Sequence, residues 1–178
     1  MALGIRSLVT APAALAVLVV SAFAQDDTDK QIGPCIDAVG TFLTLRKIPV
    51  EGQSDFVMRS LISLTNGGHA FLTDSSQGGV LDYQPFSSAR GVWRCDDAKD
   101  GTVNLSAYML DFTFPTEREP DALIARLDIS AEYVAASGSI SGITRIRFVP
   151  LDGDPLDTDQ MKDPIEYEFT GTKMKMPD

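Results

Sequence analysis

The stretch Ala122–Val134, ALIARLDISAEYV, alternates more cleanly than any other in the chain: Leu123, Ala125, Leu127, Ile129, Ala131 and Tyr133 fall on one face, Arg126, Asp128, Ser130 and Glu132 on the other. A side-chain period of two over this length is a half-buried β-strand, because successive Cβ atoms point to opposite sides of a sheet. The segments that follow repeat the pattern. Ser139–Val149 sets Ile140, Ile146 and Phe148 against Arg145 and Arg147, and Ile165–Gly171 sets Ile165, Tyr167 and Phe169 against Glu166 and Glu168. The three polar faces complement one another in charge. They predict antiparallel neighbours joined in order, with Arg145 and Arg147 paired to acidic residues on both sides. We read this as a solvated exterior with weak cross-strand ion pairs rather than a charged ligand site.

Towards the N-terminus the same signal predicts strands at Val39–Arg46, Phe56–Leu64, His69–Asp74, Arg90–Asp96 and Thr102–Phe114. Pro49 and Gly52 end the first strand. Thr65-Asn66-Gly67-Gly68 supplies residues that tolerate positive φ, which a tight hairpin turn requires. Asp97–Gly101 is a second turn. In Thr102–Phe114 the apolar phase switches: Val103, Leu105 and Ala107 share one face, Tyr108, Leu110, Phe112 and Phe114 the other, which predicts a bulge or bend near Ala107. Two longer connections remain, Ser75–Ala89 and the Asp-rich run at 152–163. Long ordered loops are frequently functional. The carboxylates of Asp152, Asp154, Asp157 and Asp159 invite a calcium reading, but the glycine spacing and closing Glu of a calcium loop are missing and Pro155 interrupts the run, so no metal is expected.

Eight such strands with no helix long enough for a parallel crossover make the chain all-β, either a sandwich or a barrel. The in-order meander favours an eight-stranded antiparallel barrel, whose closure removes exposed edges. Its interior is then either filled by side chains or wide enough for one small ligand.

Composition narrows the partners. The 178 residues carry 25 acidic against 15 basic side chains, a net charge of -10, which argues against nucleic acid or an anionic membrane surface. Residues 1–24, MALGIRSLVTAPAALAVLVVSAFA, read as a secretory signal peptide: Arg6, an apolar stretch from Leu8 to Val20, then Ala22-Phe23-Ala24 before Gln25. A polar tail, residues 25–38, separates it from a single barrel domain, residues 39–178. The expected location is secreted or periplasmic, with no membrane contact after signal cleavage. In an oxidising compartment an isolated cysteine pair is a disulfide, so Cys35 is expected to bond Cys95. Closing that loop restricts the unfolded chain by about 4 kcal/mol.

The Gly40-Thr41-Phe42 opening of the first strand, the glycine hairpin into the third, Gly91-Val92-Trp93 on the fourth and the eight-strand meander resemble the calycin group of small barrels, which includes lipocalins, fatty-acid-binding proteins, avidins and allene-oxide-cyclase-like barrels. Lipocalins place Gly-x-Trp on the first strand; here the triplet falls on the fourth. The resemblance implies a calycin-like barrel with a pocket for a small, largely apolar or aromatic molecule, carried or converted.

Met58, Phe71, Trp93, Phe112, Tyr133, Phe148 and Tyr167 are the candidate pocket lining, and a packed core is the competing use of the same residues. His69, with Arg59 and Tyr108, is the candidate acid–base set, although a lone turn histidine is more often simply exposed. Asp111 and Glu132 suit paired-carboxylate chemistry only if they share a face, and the phase of Ala122–Val134 places Glu132 outward. No nucleophile elbow, zinc-binding pair, phosphate loop or dinucleotide fingerprint is present, and no cofactor is expected. The leading expectation is an exported binding protein for a small apolar ligand. The alternatives are a cofactor-free isomerase, cyclase or lyase using the same pocket, and a secreted interaction or inhibitor module using the 75–89 or 152–163 loop.

Overall fold

The computed structural model describes residues 33–48, 55–79, 84–158 and 161–177. The expected signal peptide at 1–24, residues 25–32 of the expected tail, Pro49 and Gly52, and Asp159 of the acidic run lie outside these residues. The chain is all-β. Strands β1 (Gly40–Ile48), β2 (Phe56–Leu64), β3 (His69–Asp74), β4 (Ala89–Lys99), β5 (Thr102–Phe112), β6 (Leu123–Val134), β7 (Ser139–Pro150) and β8 (Ile165–Lys173) pair antiparallel in sequence order. β8 returns to β1, with Thr44 opposite Gly171, and closes the barrel. The seam needs a glycine there. A Cβ on Gly171 would lie 2.6 Å from the Leu43 carbonyl oxygen and 2.8 Å from Thr44 Cα, contacts that would force β8 away from β1.

One end of the barrel is shut by tight turns and a plug. The hairpin from β2 to β3 turns on Gly68 at φ 75°, with Gly68 N–H donating to the Thr65 carbonyl at 3.1 Å. Trp93 ties β4 to this turn: its Nε1–H donates to the Thr65 carbonyl and its backbone N–H to that of Gly68, both at 2.8 Å. β4 is longer than expected and continues to Lys99, so the turn into β5 is the two-residue Asp100-Gly101, both with positive φ, matching the strand twist. The bulge also moves. It lies between Cys95 and Asp97 on β4, whereas β5 keeps one phase from end to end.

Gly33–Ala38, expected within the tail, instead forms a 3₁₀ segment over this end. Cys35 and Ala38 are fully buried, Cys35 is bonded to Cys95 with Cα atoms 5.6 Å apart, and Lys173 Nζ donates to the Asp37 carbonyl at 2.8 Å. Above the plug, Phe42 meets Tyr133 edge to face at 5.4 Å, packed with Trp93, Val103, Leu105 and Ile140. Burial of this aromatic and branched set excludes water from the lower half of the barrel.

Outside, the β6–β8 charge ladder forms as the alternation predicts. Arg145 Nε donates to Glu166 at 2.6 Å, while Asp128 accepts from Arg126 at 2.9 Å and Arg147 at 3.0 Å.

Candidate functional site

The opposite end of the barrel is hollow. A cavity of about 270 Å³ lies among Met58 of β2, Leu72 of β3, Ala125 and Leu127 of β6, Ile146 and Phe148 of β7, and Ile165 and Tyr167 of β8, with Gln84, Phe86, Thr113 and Glu119 from the connections around its mouth. The cause is in the residues that point inward here. Where the lower half carries Phe42, Trp93 and Tyr133, the upper half offers Ser60 and Ala125, too small to meet across the axis, together with three charged side chains.

Those charges are Arg46 of β1, Asp74 of β3 and Asp111 of β5. Arg46 Nη2 donates to Asp74 Oδ2 at 2.8 Å, and its guanidinium lies 5.1 Å over the Tyr167 ring. Asp74 also accepts from Ser60 Oγ at 2.7 Å, Ser76 N–H at 2.9 Å and Ser76 Oγ at 2.6 Å. Four donors thus converge on a carboxylate that is 5% exposed, the arrangement a buried charge requires.

Asp111 has no such arrangement. It is 4% exposed, and its Oδ1 has no hydrogen-bond partner. Burial, reinforced by the nearby Asp74 charge and opposed by Arg46, pushes its carboxyl up to about 7 from 3.8. Arg46 Nε is likewise buried without a partner. One acceptor and one donor are therefore left unused on the wall of an apolar cavity, and each costs free energy while it stays so.

The sequence-derived candidates divide by strand phase. Met58, Phe148 and Tyr167 line the cavity. Trp93 and Tyr133 face inward but belong to the packed lower half. Phe71 and Phe112 do not line the cavity: they lie on the outer face, 37% and 48% exposed. His69 and Arg59 are also exposed on the outer face, and Tyr108 lies outside under the Arg126 guanidinium at 4.8 Å. Desolvation raises the Tyr108 phenol above its ordinary range, with Arg126 opposing. The acid–base set His69, Arg59 and Tyr108 is therefore on the wrong side of the wall to reach the cavity.

Glu132 is exposed on β6 opposite Asn104, and the carboxylate whose charge reaches Asp111 is Asp74. The signal for Asp111 was present in β5. Val103, Leu105, Ala107, Met109 and Asp111 hold one period of two. Assigning the aspartate to solvent is what breaks that period near Ala107 and brings Tyr108, Leu110 and Phe112 inward. Among the described residues no group of three or more His, Cys, Asp or Glu side chains is placed to hold a metal.

Compared with the models of known protein families, with curated proteins and with solved structures, the chain finds no match.

Proposed function

We propose that this chain is an exported, calycin-like barrel that binds a small apolar or aromatic molecule in the open half of its interior. The observation that carries the reading is the cavity itself: about 270 Å³ inside a closed barrel, walled by Met58, Leu72, Leu127, Ile146 and Tyr167. That volume is near the lower end of the roughly 300–1,000 Å³ usual for small-molecule sites, so the ligand is compact. Export is supported by the signal-peptide pattern of residues 1–24 and by the Cys35–Cys95 disulfide, the form such a pair takes in an oxidising compartment.

Titration with a panel of small apolar fluorophores tests the reading. Saturable binding to at least one of them, lost in Ala125→Phe because the new ring fills the cavity, is the expected result. Binding to none, or binding that Ala125→Phe leaves untouched, contradicts it.

A second reading, a cofactor-free isomerase, cyclase or lyase, is favoured by one observation, the Asp111 carboxyl pushed up to about 7 inside the cavity, where a carboxyl group exchanges protons readily at neutral pH. Asp111 would take a proton from the carbon beside a substrate carbonyl and return it elsewhere. Incorporation of solvent deuterium into apolar ketones, abolished by Asp111→Asn, is the outcome that supports it; no incorporation by the native protein counts against it. The third reading, an interaction module using the 75–89 or 152–163 loop, calls for a filled barrel, and the hollow upper half does not favour it.

A further inference from the structure

An apolar cavity explains why the ligand has an apolar body, and the two unused polar atoms on its wall say more. Asp111 Oδ1 is an acceptor and Arg46 Nε is a donor; both are buried, both lack a partner, and both belong to side chains that line the cavity. Arg46 is not free to rearrange. Arg46 is held through Nη2 to Asp74 and lies over Tyr167, while Asp74 is fixed in turn by Ser60 and Ser76. The donor side of the site is therefore built before any ligand arrives.

Above neutrality, where Asp111 is ionised and accepts only, the chemistry of the missing partner follows by elimination. A carboxylate accepts only: it would satisfy Arg46 Nε, leave Asp111 Oδ1 without a donor, and add a third carboxylate beside Asp74 and Asp111. An ammonium donates only, leaves Arg46 Nε unsatisfied, and sets a cation against the guanidinium. A carbonyl also accepts only, so it meets both groups only below neutrality, once Asp111 holds a proton. A hydroxyl does both from one atom.

Resting on the cavity-binding reading above, we propose that the site takes a neutral apolar molecule bearing a hydroxyl, an alcohol or a phenol, whose O–H donates to Asp111 Oδ1 and whose oxygen accepts from Arg46 Nε. Hydrogen bonds to charged groups in a site shielded from water are the strong ones, so the hydroxyl sets selectivity while the apolar wall supplies the bulk of the contact. Arg46 from β1, Asp74 from β3, Tyr167 from β8 and Glu119 from the β5–β6 connection are the charged and titratable groups that share the cavity with Asp111. Ionised Asp111 is the better acceptor, so affinity for the hydroxyl rises with pH through neutrality.

Equilibrium dialysis of the native protein against four probes with one apolar body provides the test: naphthalene, 2-naphthol, 2-naphthoate and 2-(aminomethyl)naphthalene. The expected order has 2-naphthol first, tighter than naphthalene by roughly tenfold or more, as one hydrogen bond to a charged group gives. That ratio should grow from about pH 6 to about pH 8, the window around the raised carboxyl, while naphthalene binding stays flat. Asp111→Asn, which removes a buried charge and should fold, is expected to shrink the ratio severalfold and erase its pH dependence. Equal binding of naphthalene and 2-naphthol, or tightest binding of the carboxylate or the ammonium, overturns the hydroxyl assignment and leaves the cavity reading standing. Binding of none of the four overturns both.

Discussion

The two halves of the barrel interior are built from the same strands and differ in almost every physical respect. Below, Phe42, Trp93, Tyr133 and Ile140 meet across the axis, the disulfide and the 3₁₀ plug seal the end, and the Trp93 indole N–H has its carbonyl. Above, the inward positions of the same strands β1, β3, β5 and β6 carry Arg46, Asp74, Asp111 and Ala125, and the space between them is empty enough to count as a site. The lower half is arranged for stability and the upper half carries the cost of buried charge. Proteins keep such costs where function needs them.

That division is open to breakage from either side, and the lower half should show large losses of stability at every pH. Replacing Cys35 and Cys95 by serine is expected to lower unfolding free energy by about 4 kcal/mol in denaturant titrations, with ligand affinity unchanged under conditions where the variant is folded. Phe42→Ala, at a fully buried ring, is expected to cost about 3 to 4 kcal/mol, again without altering the cavity's affinity. If either change weakens binding in proportion to its effect on stability, the two halves are not independent.

In the upper half the sign reverses. Because the folded-state carboxyl of Asp111 is about 7 against 3.8 for the ordinary group, protonation favours the folded state. Its contribution is fully present below about pH 4 and is lost as pH rises through about 7. Asp111→Asn should therefore stabilise the protein by up to about 4 kcal/mol well above neutrality and by almost nothing near pH 4, measured as unfolding free energy at both ends of that range. A pH-independent effect would show that Asp111 titrates normally.

Ala125→Phe sharpens the contrast further. It should change stability by about 1 kcal/mol or less, since it fills space instead of crowding a packed region, while removing ligand binding. The smallest effect belongs to neither half: Glu166→Gln on the outer ladder should cost less than about 0.5 kcal/mol.

The unequal halves also explain what could be read in the sequence. β6 was legible because every inward residue is apolar and the outward row from Arg126 to Glu132 is polar, and the glycine turn at 66–68 because few residues tolerate its geometry. The lower half follows the same rule. The upper half breaks it on purpose. In β1 the apolar choice is Leu43 and Leu45, yet Leu43 is 38% exposed and the inward row is Phe42, Thr44 and Arg46. In β3, Asp74 follows Ala70 and Leu72 into the interior, and in β5 Asp111 follows Met109. A rule that sends charge to solvent misplaces the residues that make the site, and with them Phe71, Tyr108 and Phe112. Keeping one period of two through each strand, whatever the residue, places Asp111 correctly. The ion pair of Arg46 with Asp74, separated by 28 residues, is a product of register that no local pattern encodes.

The most direct test of a packed lower half beneath a binding upper half is an amide and indole NMR titration of the native protein with 2-naphthol. Saturable shifts confined to Leu72, Asp111, Ala125, Leu127 and Ile146, with the Trp93 indole and Tyr133 amide unmoved, are the predicted result. Shifts centred on Phe71 and Val92 of the outer wall, or on the Phe42–Trp93 region, would contradict it.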